Sequence, residues 1–391
     1  MVAWTTLESD QMTDIEDPDL VPNLTAVLGS GDAVSQMRGL AGHEIRPVSA
    51  AVVIGLGGTG IQTMSRLRAA IQAGRIDQHA WDAIAFVGVD AVGPDGQKPP
   101  LPPGVSEGLA GDMISLQGFN PAAYLKGQKP NDPFLREWWD DGYKVPSSPL
   151  NEGLKRERML GRLAFHKDTT RIRQRIETAM AKAAKVRPEF VAGGDPGNAG
   201  GEIPIYLISS SAGGTGSSGF LEVLMAVHLA AANLSLTPKV RAFVLMPGVF
   251  AGAVAKQQLG DTAAEAQRAN SYGFFKELDH FLVHPEQLPV MMGYDERGGI
   301  DKDTDLIHQV YLLDANLGQR GMLSRITDVY EIIAEATFQF LFSEMGRAIL
   351  GVDGVNIERA LTHLDKFDKP RRWINSGGLG TMCETYADKI E

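Results

Sequence analysis

Cysteine is almost absent from this 391-residue chain: Cys383 stands alone, so no intrachain disulfide can form and no cysteine-based zinc site can be built. No lysine or arginine precedes Arg38, while Glu8, Asp10, Asp14, Glu16, Asp17 and Asp19 crowd one short acidic run. Residues 1–47 therefore read as an acidic, flexible extension, a solvated tail or an arm for other proteins. No apolar run is read as long enough to span a membrane, and the N-terminus lacks a basic region followed by an apolar one. A soluble, cytoplasmic protein without membrane contact is the expectation. A net charge of −11 argues against nucleic acid as a partner. No internal repeat is evident.

What is present is ordinary globular material: 43% hydrophobic and 22% charged residues, enough for one large domain or two. Apolar strand-like runs cover Ala51 to Ile54, Ala83 to Val89, Ile205 to Ile208 and Val240 to Met246. Helical periodicity covers Thr63 to Ile71, Glu152 to Val186, Phe220 to Leu234, Asp261 to Leu282 and Ile326 to Leu350. Leu288 to Tyr294 and Val310 to Asp314 read as a strand pair around a polar turn, and Pro94 to Tyr143 as a long irregular insertion in which Gly118 to Leu125 is a loop leading into a short helix and Trp138 and Trp139 are packing anchors. Gly193 to Gly201 reads as a flexible hinge. Strands alternating with helices imply an α/β fold with a largely parallel sheet and ligands at the carboxyl ends of its strands.

Two glycine-rich loops stand at such strand ends. Gly55, Gly57 and Gly60 match G-x-G-x-x-G between a strand and a helix, with Gly58 and Thr59 inside it. The second runs through Ala212, Gly213, Gly214, Thr215, Gly216, Ser217, Ser218 and Gly219. Residues without side chains let backbone N–H groups approach an anion, and the following helix directs its positive end at the same spot. Neither loop carries the lysine of a Walker P-loop. The acid closing the next strand, Asp90, lies 30 residues past Gly60, further than the ~20 of a dinucleotide fingerprint. An NAD-dependent oxidoreductase stays open on the first loop alone, without an identifiable acid–base pair. His280 and His284 share a helical face at metal-binding spacing but lack a third ligand, and no zinc site is expected. The basic run from Lys155 to Arg187 is read as a solvated face, with a nucleotide or partner contact as the alternative.

Ala212 to Gly219 is similar to the GGGTGSG signature of the tubulin/FtsZ superfamily of GTP-binding cytoskeletal proteins, a bacterial tubulin-like group being the nearest resemblance. Gly55 to Gly60 sits where that family has its first phosphate loop, Val89 to Gly93 resembles the loop after the second strand, and Gly118 to Pro121 the next. Leu245 to Phe250 resembles the ribose-side loop, Arg268 to Phe275 the helix whose Asn contacts guanine, and Gly354 to Leu361 the loop that reaches a neighbouring subunit's nucleotide. The resemblance implies a Rossmann-like, parallel-sheet GTPase domain (48–320), a long central helix (321–351), and a partner-facing loop with a truncated or minimal C-terminal domain (352–391). It implies GTP or GDP as ligand and head-to-tail homopolymerisation. Gly213, Gly214, Thr215, Gly216 and Ser217, led by Ala212, would hold the β- and γ-phosphates; Gly57, Gly58, Thr59 and Gly60 the α- and β-phosphates. Asp90 would hold Mg²⁺ through water, and Asn270 the purine edge.

The sequence departs from this family in two places. The family's hydrolytic acid stands five positions after an Asn of the partner-facing loop; counted from Asn356 that position is Leu361, leaving Glu358 and Asp353 as the candidate acids and Asp365 as a further substitute. Only about 40 residues follow the central helix, where the family has a larger second domain. Nucleotide binding is thus a firmer expectation than hydrolysis, and a non-hydrolysing interaction module is the alternative.

Overall fold

Aliphatic and β-branched runs without polar alternation make strands that are buried on both faces, the mark of a parallel sheet covered by helices. The computed structural model describes residues 44–342 except 46, 48, 74, 77–80, 82, 98–99, 102–105, 151–152, 155, 186–200, 251–259, 294–299 and 315–324. In chain order its first elements are β1 (Glu44–Ile45), β2 (Ala51–Leu56), α1 (Gly57–Ala73), β3 (Arg75–Ile76), β4 (Ile84–Asp90), α2 (Ser106–Asp112), β5 (Met113–Ser115), α3 (Pro121–Gln128) and α4 (Pro133–Trp138). There follow α5 (Arg158–Ala184), β6 (Glu202–Ser210), α6 (Gly214–Asn233), β7 (Thr237–Leu245), α7 (Gly260–Val283), α8 (Leu288–Met291), β8 (Gln309–Leu313) and α9 (Ile326–Phe342).

Six strands form one sheet in the order β5-β4-β2-β6-β7-β8, and every pairing in it is parallel. Counted along the chain this is the 3-2-1-4-5-6 order of a doubly wound sheet, whose direction of winding reverses between β2 and β6; ligands of such sheets sit in the crevice at that reversal. Side chains alternate between two apolar layers. Val52, Ile54 and Leu56 face α5, α6 and α7, whereas Ala51 and Val53 face α1 and α9. The α/β expectation and the parallel sheet are borne out.

Several elements differ from the sequence reading. Leu288 to Met291 is a helical turn, not a strand, because Pro289 suits the first turn of a helix and lacks a ladder donor. β8 consequently pairs parallel with β7. The stretch from Pro94 to Tyr143 is more regular than expected: beside the short helix expected after Gly118, which is α3, it holds α2, β5 and α4. Asn120 and Asp132 cap α3 and α4 by accepting from the Ala123 and Leu135 N–H groups, each with proline at the helix start. Its strand β5 closes one sheet edge, three residues being too short to read by periodicity. Trp139 is buried and Trp138 half-buried against the same core, as anchors. One helix among the described residues, α6, is long and apolar enough to cross a bilayer, which the sequence reading did not find. Burial of 94% of that segment inside the protein accounts for its composition. The N-terminal extension (1–43), most of the hinge (193–200), and the end of the central helix with all that follows (343–391) lie outside the described residues.

Candidate functional site

Both glycine loops lie at the winding reversal, and each is already the first turn of its helix. The chain leaves β2 through Gly57, whose φ of +66° is a left-handed conformation that glycine adopts without penalty. A β-carbon there would stand 3.1 Å from the Gly216 nitrogen and 3.4 Å from the Thr215 β-carbon, so the two loops are in direct contact. Gly60 serves packing instead. Its β-carbon would meet the Gly55 carbonyl carbon at 2.5 Å and the Ile208 oxygen at 2.6 Å, which seats α1 on β2 and β6 backbone to backbone. Gly58 faces Asp90, with 4.0 Å between its β-carbon position and Asp90 Oδ2. The Thr59 hydroxyl is taken up by the hydroxyl of Tyr330 at the start of α9.

The second loop ends β6. Gly213 is the N-cap of α6, has an extended backbone and supplies no side-chain cap, and a β-carbon on it would touch nothing within 4 Å. Open space therefore lies beside Gly213, at the positive end of a 20-residue helix. Ser217 and Ser218 turn their hydroxyls back onto the carbonyls of Gly213 and Gly214, so these donors are spent within the helix. Ala212 is anchored by its own N–H, which donates to Ser210 Oγ at 3.1 Å.

Asp90, at the end of β4, is 4% exposed. It accepts hydrogen bonds from the Ala91 N–H at 2.7 Å, from Gln97 Nε2 at 2.8 Å and from the Thr215 side chain. Burial raises its pKa, against the pull of these donors. Asp90 thereby joins the strand beside the first loop to the second loop. Gln97, which sequence reasoning missed, carries no signal beyond its place seven residues on.

Asn270, on α7, is at the site but directed at the protein. Its Nδ2 donates to the Ala212 carbonyl at 3.1 Å and to the Arg156 carbonyl at 2.8 Å, using both amide hydrogens. It clamps the second loop to the turn that precedes α5. The candidate acids Glu358 and Asp353, with Leu361 and Asp365, lie outside the described residues. Much of the basic run is committed to tertiary contacts: Arg158 pairs with Glu277 at 2.6 Å, Arg175 with Asp112 at 3.2 Å, and Arg162 lies 4.7 Å over the Trp138 ring.

A family model described as "Tubulin like" matches residues 52–383, most of the chain and all of the elements that build this site. The chain belongs to this tubulin-like family. Solved structures similar to it include CetZ2 from Haloferax volcanii as a GTPγS-bound protofilament, at 15% identity over 74% of this chain and 56% of that one, TM-score 0.37. CetZ from Methanosaeta thermophila is 12% identical over 75% and 53%, TM-score 0.37. A GTPγS-form protofilament of TubZ from Bacillus thuringiensis serovar israelensis is 13% identical over 80% and 59%, TM-score 0.38. The tubulin-like chain spans 53–59% of the length of these three proteins. No curated protein matches it.

Proposed function

We propose that this tubulin-like protein binds a guanine nucleotide in the crevice between the two loops and self-associates head to tail in the cytoplasm. The observation that carries the reading is the contact of Gly57 with Thr215 and Gly216 at the winding reversal, beside an α6 N-terminus that has no side-chain cap. Two helix starts converge there, and the N–H groups of a helix start suit a chain of phosphates. On this reading the backbone of Gly57, Gly58 and Thr59 approaches the inner phosphates while Gly60 seats α1 on the sheet, and Ala212 through Ser217 approach the outer ones. The Ser217 hydroxyl would remain on Gly213 and contribute to the helix, leaving backbone groups as the donors. Mg²⁺ fits through a water at Asp90, whose Oδ2 lies on the Gly58 side of the crevice. The cation would also favour the ionised carboxylate that burial disfavours.

Slow hydrolysis at subunit junctions would call on Glu358 or Asp353. Leu361, at the position where the resemblance expects an acid, favours a second reading, in which the protein binds nucleotide and partners without turnover. Mass spectrometry of nucleotide released on denaturing freshly purified protein tests the first step, with GTP or GDP expected in near-equimolar amount. Sedimentation with and without GTP tests assembly. Preference for ATP, or absence of any nucleotide in the protein and in titrations, refutes the reading; bound nucleotide with a persistent monomer leaves only the second.

A further inference from the structure

We infer that Arg156 is a specificity-determining residue of this site, supplying positive charge to the outermost phosphate of a nucleoside triphosphate; the inference rests on the nucleotide reading above. Four observations lead there. Arg156 is held where a β-carbon on Gly214 would stand 3.0 Å from its α-carbon, so its backbone lies against the first turn of α6. It occupies the side of the second loop away from Gly57, which abuts Thr215 and Gly216. Phosphates running from the first loop towards the second therefore approach Arg156 with their distal end. Its neighbours on α5 are already paired, Arg158 with Glu277 and the Ser217 carbonyl, and Arg162 with the Met291 carbonyl and the Trp138 ring. Arg156 is half-buried as a residue, and its guanidinium has no hydrogen bond or ion pair among the described residues.

The backbone is arranged to keep that side chain in place. Arg156 has φ +68°, a left-handed conformation rare for a residue with a branched-out side chain. Asn270 holds its carbonyl at 2.8 Å while holding the Ala212 carbonyl with its other hydrogen. Turn and phosphate loop are therefore positioned by one amide, and the Arg156 α-carbon is kept beside the loop. A guanidinium suits the role, since its planar donors pair with phosphate oxygens in a fork.

The test compares GTPγS and GDP by isothermal titration on wild type, Arg156→Asn and Arg156→Lys. Asparagine tolerates the left-handed backbone, so the fold is kept while the charge is lost. A charged hydrogen bond of the usual strength predicts that Arg156→Asn weakens GTPγS by about tenfold or more. GDP is expected to change by less than threefold, and Arg156→Lys to recover part of the GTPγS loss. Equal weakening of both nucleotides, or no change in either, overturns the inference while wild-type binding keeps the nucleotide reading intact. A wild type that binds neither nucleotide removes both.

Discussion

Replacing Gly57 by alanine separates a cradle made by two touching loops from two loops that merely share an end of the sheet. At φ +66° the added β-carbon costs about 1–2 kcal/mol for the left-handed conformation. Loss of glycine's freedom in the unfolded chain returns about 0.4–1 kcal/mol. The new carbon also meets the Gly216 nitrogen at 3.1 Å and the Thr215 β-carbon at 3.4 Å. Backbone at Gly216 cannot swing aside, since a β-carbon on that residue would itself stand 2.6 Å from Ser209 Oγ and 3.2 Å from the Leu56 oxygen. The loops must therefore part by a few tenths of an ångström, and overpacking of this kind costs about 1–3 kcal/mol. A net loss of about 1–5 kcal/mol follows from these terms. Urea denaturation with the slope m held common measures it, and titration with GTPγS measures the effect on the crevice. Gly213→Ala is the control, because its β-carbon meets nothing within 4 Å and its φ is −85°. Stability should then fall by no more than about 1 kcal/mol, the cost of alanine at an N-cap, with no clash between the loops. Gly57→Ala as stable as wild type and binding nucleotide equally well would refute the contact as the organiser of the site.

Asn270→Ala should destabilise the nucleotide-free protein by about 1–3 kcal/mol, because two carbonyls lose their donor; unchanged thermal stability would mean the clamp carries no load. Asp90→Asn should retain the fold and weaken Mg²⁺-dependent nucleotide binding. Because burial raises the Asp90 pKa above its ordinary 3.8, the wild type should lose stability relative to this variant as pH rises from that value towards the raised one, and a pH-independent difference would contradict it. His228 donates from Nε2 to the Leu306 carbonyl at 3.1 Å and burial lowers its pKa below 6.5. The unfolded chain then takes up the proton first, so stability falls as pH drops through 6.5; His228→Gln should flatten that slope in urea melts, and an unaltered slope would rule His228 out as its source.

The sheet was legible in the sequence because parallel strands buried on both faces leave uninterrupted apolar runs, as in Ala51 to Leu56 and Ile205 to Ile208. The two helix starts were less so. α1 and α6 begin at Gly57 and Gly214, six residues before the periodic segments that announce them, because glycine's poor helix propensity masks a turn that tertiary contacts impose. The glycines themselves looked alike in sequence. Only packing separates Gly60, pressed between β2 and β6, from Gly213, which faces open space. Asn270 was correctly brought near the loops by its helix, but its hydrogen-bond partners are backbone carbonyls distant in sequence, which no local pattern records. Tyr330 was hidden for the same reason: its link to Thr59 joins the first loop to α9 across most of the chain.

α6 does not carry the second loop alone. Gly161 of α5 lies against Ser218 and the Gly214 carbonyl, and Gly219 of α6 lies against the Phe165 ring, so the two helices touch where both lack bulk. A rise of 1.5 Å per residue makes the 27-residue α5 about 40 Å long. Its buried face runs from Leu160 through Ile172 and Ile176 to Ala183, so the helix is seated in the core along its whole length and not only beside the loop. The packing that positions the second loop is thus shared with residues as far away as Ala183, and a cavity cut there by Met180→Ala would loosen the same helix that braces the phosphate loop.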